Sequence, residues 1–366
     1  MLRLHLPQQK FFAWSADGKV LYVAMDDGVS RIDAPTWTVT HHVDFGGATG
    51  GNVTGVVLTS QGVLAGVRQV IASTPAGPGG LVKFDVRTSR PFEMKHVRSL
   101  VILDPANLQV VKQYNGPCLG IAGGAGSSVV VCTPENTLTA KLIDLKTGDV
   151  LDDSEKKDGV GEGAKSTKNV RAFEEMVTSP DGKTLFHRES RHPIYSTDIS
   201  GGKFGATTAL DVGEPHGGPQ QVGTQSSMYL SHDGKKLAIY QEPKPNEARY
   251  AVIDVGAGKT EDHNHPYQAP SSTAFAFAGL NNRPVTNMKE EQNNPTIGFK
   301  AQAAPSDLKV TAYDLVLPRR DQRGQMFRIF NPQRLEGAVI AGAPTNDHVL
   351  MCLDGDETAW VTLPPE

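Results

Sequence analysis

Residues 14–22 read Trp-Ser-Ala-Asp-Gly-Lys-Val-Leu-Tyr, and residues 179–186 and 231–238 repeat the same Asp-Gly-Lys centre between apolar runs. Asp-Gly between two apolar runs favours a β-hairpin, because Gly accepts a positive φ and the resulting primed turn matches the twist of the strands. Each of the three segments is therefore predicted to be a tight hairpin between two short strands.

A second recurring feature is an Asp followed by a turn, usually after an apolar pair. It occurs at Asp33, Asp104, Asp144, Asp198, Asp254 and Asp314. Successive Asp positions are 40 to 71 residues apart, and one four-stranded propeller blade takes about 40–50 residues. We therefore interpret each interval as one blade, some with inserted loops, in which the third strand ends in an Asp-initiated turn.

These repeats predict an all-β chain, since long helical periodicity is absent. We expect a single β-propeller domain over residues 1–366, with seven four-stranded blades. The expected blades cover residues 11–45, 53–114, 119–152, 173–210, 228–261, 275–330, and 338–364 together with 2–6. In this arrangement the N-terminal strand completes the last blade and closes the ring, which pairs edges that would otherwise stay open.

The first of these units, from Ser15-Ala16-Asp17-Gly18-Lys19 to Arg31-Ile32-Asp33, resembles a YVTN-type, WD40-like β-propeller repeat. The resemblance extends to the units at residues 173–210 and 228–261. It implies the fold, and it brings no shared catalytic motif, since such propellers include binding modules, surface proteins and a few enzymes.

Composition narrows the classes of partner. Lys and Arg number 36 against 40 Asp and Glu, a formal net charge of −4. Such a weak field argues against a nucleic-acid-binding protein, and no apolar run is long enough for membrane insertion. The start of the chain lacks the apolar segment of a signal peptide, so the expected compartment is the cytoplasm, or an extracytoplasmic one if a preceding segment was removed. Three cysteines are interpreted as buried apolar residues without a disulfide framework, at least one of them a free thiol.

The predicted strand order also assigns the loops to faces. The Asp-Gly hairpins should share one face of the ring, and the long insertions should share the other, where binding is expected. These insertions are residues 67–98, 152–171, 187–194, 211–225, 240–249, 262–272 and 289–308. The segment 67–98 is the most basic one and is interpreted as a solvated excursion that could dock an acidic partner or an anionic ligand. Its arginines are candidate binding residues: Arg68, Arg87, Arg90 and Arg98.

Histidines on the same predicted face are further binding candidates: His192, His216, His263 and His265. His263 and His265, with Asp262 nearby and His187 on a predicted loop, could also suggest a transition-metal site, but the set has no recognised ligand spacing. We therefore predict no metal and no cofactor. The Gly-rich stretch 158–167 resembles a phosphate loop, but Ala164 stands where that motif needs Gly. No catalytic residue is assigned.

The sequence thus favours a non-enzymatic propeller that binds a protein, peptide or glycan through its loop-rich face. An alternative is a hydrolase- or lactonase-type propeller enzyme with its site at the mouth of the central channel. A third possibility is a structural domain of a larger surface or assembly protein.

Overall fold

The computed structural model describes residues 2–5, 11–25, 27–46, 52–75, 83–84, 91–116, 118–134, 139–154, 175–188, 194–210, 228–241, 249–257, 259–260, 267–268, 275–289, 313–317, 327–328, 338–346, 348–352 and 357–362. Apart from a single residue in a helical turn, all regular secondary structure in this part of the chain is β-strand. The strands form antiparallel sheets arranged as a single propeller. None of the described residues belongs to a helix long and apolar enough to cross a membrane.

Four sheets come from the first half of the chain. Sheet 1 contains β2 (Phe11–Trp14), β3 (Val20–Ala24), β4 (Gly28–Asp33) and β5 (Thr38–Asp44). Sheet 2 contains β6 (Asn52–Thr59), β7 (Gly62–Pro75), β8 (Lys83–Phe84), β9 (Pro91–Leu103) and β10 (Val110–Asn115). Sheet 3 contains β11 (Cys118–Ala122), β12 (Val129–Pro134), β13 (Lys141–Asp144) and β14 (Val150–Asp153). Sheet 4 contains β15 (Glu175–Thr178), β16 (Thr184–Arg188), β17 (Tyr195–Asp198) and β18 (Thr207–Ala209).

Three sheets come from the second half. Sheet 5 contains β19 (Met228–Leu230), β20 (Lys236–Gln241), β21 (Arg249–Asp254), β22 (Lys259–Thr260) and β23 (Tyr267–Gln268). Sheet 6 contains β24 (Phe275–Ala278), β25 (Arg283–Lys289), β26 (Tyr313–Leu317) and β27 (Phe327–Arg328). Sheet 7 contains β28 (Ala338–Gly342), β29 (His348–Cys352), β30 (Glu357–Thr362) and, from the other end of the chain, β1 (Leu2–His5). Among the described strands, five sheets have four strands each, and sheets 2 and 5 have five, so the prediction of seven four-stranded blades is not met in full.

The two ends of the chain meet in sheet 7. β1 pairs antiparallel with β30, with Leu2 opposite Trp360 and His5 opposite Glu357. The predicted pairing of the N-terminal strand with the last strand is confirmed. The pairing covers the edge of β30 that would otherwise present open backbone groups.

The predicted hairpins connect the first and second strands of sheets 1, 4 and 5. In sheet 4, Gly182 N–H donates to Ser179 O at 2.8 Å, and Ser179 Oγ donates to Asp181 Oδ1 at 2.6 Å. Lys183 N–H in turn donates to Asp181 Oδ1. The same bonds recur around Gly18 and Gly234. A serine three residues before each glycine therefore closes the turn together with the aspartate.

The predicted primed geometry of these hairpins is wrong. A type I′ turn needs a positive φ at both central residues, whereas in sheet 4 only Gly182 has one, at 68°. The Ser-Asp bond holds Asp181 in the ordinary region, so Gly182 alone takes the left-handed conformation that reverses the chain. A Cβ at this glycine would collide with the side chain of Ser127 in the neighbouring sheet.

The Asp-initiated turns are also observed. The carboxylates of five of these aspartates accept a hydrogen bond from a backbone N–H two or three residues ahead: Asp33, Asp104, Asp144, Asp198 and Asp254. These residues end, or directly follow, the third main strand of their sheets. The sixth prediction is wrong, because Asp314 lies inside β26, opposite Met288 of β25. An apolar pair before an Asp is therefore not sufficient to mark the end of a strand.

The core lies between neighbouring sheets. The junction of sheets 1 and 2 buries Val29, Val63 and Leu108, and the junction of sheets 7 and 1 buries Leu21, Trp37 and Ala341. Further apolar clusters join sheet 2 to 3, 3 to 4 and 4 to 5. Trp37 and Leu108 hold positive φ angles of 52° and 59°. Since both side chains are buried in these clusters, packing offsets the strain of that conformation.

Two of the three cysteines form a disulfide, which the sequence interpretation missed. Cys118 and Cys132 lie on the adjacent strands β11 and β12, with Cα atoms 5.3 Å apart, and both are buried. That separation is in the range that a disulfide requires. The bulge between Cys118 and Gly120 sets the offset of the two strands, and the cysteine spacing alone does not predict it.

Candidate functional site

The ring has two distinct faces, which the turns identify. Asp17 O accepts a hydrogen bond from Thr345 Oγ1, Gly126 N–H donates to Pro180 O, and Ser60 N–H donates to Ser127 O. These contacts join the first turns of neighbouring sheets, so those turns gather on one face, which we call the hairpin face. Because successive strands alternate in direction, the connections that carry the long insertions leave from the opposite end of the sheets, which we call the loop face.

A two-stranded ribbon rises from sheet 2 at the loop face. β7 has 14 residues and β9 has 13, whereas the other described strands have two to eight. The partner β6 pairs with β7 only as far as Arg68, and β10 pairs with β9 only as far as Ser99. β7 and β9 therefore continue together for about 20 Å beyond the body of the sheet. Segment 67–98 was predicted to be a loop, and this ribbon corrects that prediction.

Two candidate arginines lie at the base of the ribbon. Arg68 of β7 and Arg98 of β9 are directly opposite each other. Alternation along the strands places Arg98 on the same side as Leu100 and Ile102, which pack against sheet 3. Arg98 is only 7% exposed, and Arg68 is half-buried. These two side chains belong to the junction between sheets 2 and 3, so replacing Arg98 would disturb the fold as well as any contact.

Buried charged groups concentrate at this end of the sheets. Among the residues whose side chains the structure describes, the buried Arg, Lys, Asp, Glu and His residues are Arg98, Asp153, His187 and Arg188. Asp153, His187 and Arg188 lie at the loop-face ends of their strands, and Arg98 lies at the base of the ribbon. A charged group that is removed from water needs a polar or charged partner to be stable. These residues and their partners therefore form a polar layer next to the apolar junctions, on the side of the loop face.

The partners within this layer are specific. Lys141 Nζ is 3.3 Å from Asp153 Oδ2 in sheet 3, and Arg188 Nε donates to Glu175 Oε2 at 2.5 Å in sheet 4. The strand register places Glu175 opposite Arg188. Counting outward from the Asp181-Gly182 turn would have identified this pair from the sequence, and our interpretation missed it.

His187 is also placed differently from the prediction. It lies inside β16 and is 2% exposed, whereas it was assigned to a loop. His187 Nε2 is 2.9 Å from Thr197 Oγ1, and its ring stacks on Tyr195 with centroids 5.7 Å apart. The imidazole is therefore part of the packing of sheet 4.

The remaining candidates lie outside the described residues: Arg87, Arg90, His192, His216, His263 and His265. Whether these side chains lie close together is therefore not tested by the structure. Within the described ranges no group of three His, Cys, Asp or Glu side chains is placed to hold a metal ion.

The hairpin face carries one histidine that joins three sheets. His232 lies in the first turn of sheet 5, and its Nε2 is 3.0 Å from both Phe277 O of sheet 6 and Gly342 O of sheet 7. Because both neighbours are carbonyls, Nε2 must be the protonated nitrogen and donates to them. His232 N–H also donates to Asn282 Oδ1 at 3.0 Å. Burial lowers the pKa of His232, although the hydrogen bonds to the two carbonyls act in the opposite direction and raise it.

This lowered pKa predicts acid sensitivity of the fold. Above the unfolded pKa of about 6.5 both states hold the neutral imidazole, and below it the unfolded chain takes up the proton first. The unfolding free energy should therefore decrease below about pH 6.5, by at most about 1.4 kcal/mol per pH unit for one proton. Urea unfolding at a series of pH values would measure this.

The matched variants are His232→Gln, whose amide can still donate, and His41→Gln at an exposed position of β5. We expect a shallower pH dependence in the first variant only. An identical pH dependence in wild type and His232→Gln would contradict the assignment.

Comparisons with known proteins address the fold alone. No protein-family model matches the sequence, and no curated protein matches it. Among solved structures, the chain is similar to the crystal structure of the Cps50 (Swd1) β-propeller domain of Myceliophteria thermophila, with a TM-score of 0.59 at 11% sequence identity. The similarity covers 100% of this chain and 99% of that domain. The chain therefore has the all-β fold of a single propeller, and membership of the YVTN-type family is not confirmed.

Proposed function

We propose that this propeller is a non-enzymatic binding protein that holds a protein partner on its loop face, with the ribbon of β7 and β9 as the principal contact. The observation that carries the proposal is the ribbon itself. It extends about 20 Å from a closely packed ring, and it belongs to the most basic segment of the chain. A rigid scaffold that presents one long extension is suited to contact another protein.

Charge supports a partner with an acidic surface. Segment 67–98 contains Arg68, Lys83, Arg87, Arg90, Lys95 and Arg98 against Asp85 and Glu93, whereas the whole chain has a net charge of −4. The rest of the molecule is therefore acidic, and the ribbon segment would attract an acidic patch while the remaining surface repels it. His192, His216, His263 and His265 remain proposed contacts on the same face.

The test separates the two faces by charge reversal. Arg87→Glu with Arg90→Glu changes the ribbon segment and leaves the buried Arg98 in place. The matched control is Lys183→Glu with Lys235→Glu, at exposed turns of the hairpin face where each lysine lies 3.7 Å from an aspartate. Such exposed ion pairs contribute little to stability, so both double variants should remain folded.

The measurement is quantitative affinity capture from the source proteome, followed by titration of the purified partner with each variant. We expect the ribbon variant to bind at least about tenfold more weakly than wild type, with a difference that diminishes at high salt, and the hairpin-face variant to bind normally. Loss of binding in the hairpin-face variant alone would place the partner on the other face and contradict the proposal.

A further inference from the structure

Among the strands that the structure describes, one edge of β9 is paired at both of its ends and has no paired strand between them. Phe92 of β9 is opposite Pro75 of β7 and also opposite Lys83 of β8. Because a strand has two edges, β8 must lie on the edge away from β7. That is the edge on which β10 pairs with β9 from Ser99 to Leu103. Within the described residues, no strand pairs with this edge at residues 93–97.

The direction of the backbone groups along this gap can be derived. Gly116 N–H donates to Arg98 O, so the carbonyl of Arg98 points towards the β10 edge. In an antiparallel strand, alternate residues direct both their N–H and their C=O to the same edge. Met94 and His96 therefore direct their backbone groups into the gap. Two donors and two acceptors are aligned there between β8 and β10.

The residues around the gap are predominantly basic. Lys83 stands on β8 where that strand meets β9, and Lys95 belongs to β9, with Glu93 as the acidic exception; Arg98, at the end of the gap near β10, is buried and is not counted among the selecting residues. β5 and β14 are also edge strands. Unlike the edge of β9, the outer edge of each is not bounded at both ends by other described strands. An added strand here would continue the sheet between β8 and β10.

We propose that an extended, acidic segment of a partner protein adds as a β-strand to the edge of β9 between β8 and β10. The main-chain groups of Met94 and His96 supply affinity, and the basic residues select acidic side chains at alternating positions of the segment. This inference rests on the proposed function, since it names how the ribbon would hold its partner.

Strand addition can be tested with proline, which removes a backbone N–H. At Met94 and His96 the N–H does not point to β7, so Met94→Pro and His96→Pro leave the pairing of β7 with β9 intact. The matched controls are Met94→Ala and His96→Ala, which keep the N–H. The probe is a fluorescent peptide of alternating Glu and Val, about eight residues long, with alternating Lys and Val as the charge control, and binding to the full chain is read by fluorescence anisotropy.

We expect the Glu peptide to bind at least about tenfold more tightly than the Lys peptide, and each proline variant to bind it about fivefold to tenfold more weakly than its alanine control. In the wild-type chain, the Glu peptide should also slow amide hydrogen exchange at Met94 and His96, a readout that does not depend on how the variants fold. No binding at about 1 mM peptide, equal binding of both peptides, or unchanged exchange at both amides would overturn strand addition.

The two proposals fail separately. If reversal of Arg87 and Arg90 abolishes capture of the partner but proline at Met94 and His96 has no effect, the ribbon binds through side chains and strand addition is wrong. If the Glu peptide binds as expected but partner capture is independent of the ribbon charges, strand addition stands and the proposed docking face is wrong.

Discussion

Deletion of residues 1–8 should lower the melting temperature by about 5 °C, since it removes β1 from sheet 7. β1 pairs along its whole length with β30, from Leu2 opposite Trp360 to His5 opposite Glu357. Without it, the outer backbone groups of β30 lose their partners, and the two ends of the chain are no longer joined within one sheet. Differential scanning calorimetry of the deletion variant measures the effect.

The matched control is deletion of residues 364–366, which follow the last described strand. This truncation also shortens the chain at sheet 7 but leaves every described strand in place, so its melting temperature should stay within about 1 °C of the wild-type value. Equal melting temperatures for the wild type and the 1–8 deletion would show that pairing with β1 does not hold the ring closed. A bare β30 should also make the deletion variant more prone to aggregate, which light scattering would detect.

Local sequence was sufficient to predict where the three Asp-Gly turns and five of the six Asp-initiated turns lie, although not the geometry of the hairpins. Asp181-Gly182 fixes a reversal because the glycine accepts a positive φ and Ser179 supplies the closing hydrogen bond. Asp144 and Asp198 end their strands because their carboxylates bind the backbone of the following turn. These interactions involve residues no more than five apart, so their signals repeat visibly along the chain.

Features that depend on distant residues were missed. The ribbon was interpreted as a loop, because β7 and β9 are separated by residues 76–90 and no short turn signal joins them. The buried pair of Glu175 and Arg188 required the strand register to be counted across a hairpin. Arg98 was expected to be an exposed contact, but its strand carries it into the junction of sheets 2 and 3, where burial depends on the packing of both sheets.

The disulfide shows the same dependence. Cys118 and Cys132 are 14 residues apart, and an odd number of cysteines gave no reason to pair them. Their approach depends on the bulge in β11, which shifts the pairing from Cys118 opposite Pro134 to Gly120 opposite Thr133. Bulges arise from the local fit of a strand into its sheet, and nothing in the spacing of the two cysteines specifies one.

The disulfide leads to the second large expected effect. Replacement of both Cys118 and Cys132 by Ala should lower the unfolding free energy by about 3 kcal/mol, because the bond closes a loop of about 15 residues and restricts the unfolded chain. Urea unfolding of the double variant, compared with wild type under oxidising conditions, measures this difference. The matched control is Cys352→Ala, which leaves the bond intact and should retain most of the stability.

Thiol counting gives an independent measurement of the same bond. The denatured wild-type chain should show one reactive thiol before reduction and three after it, since two of its three cysteines are joined. Three thiols before reduction, in protein purified without reductant from its native compartment, would contradict a structural disulfide. The result also bears on where the partner meets this protein, because structural disulfides persist mainly in oxidising compartments. One thiol before reduction would therefore direct the search for an acidic partner to proteins of such a compartment.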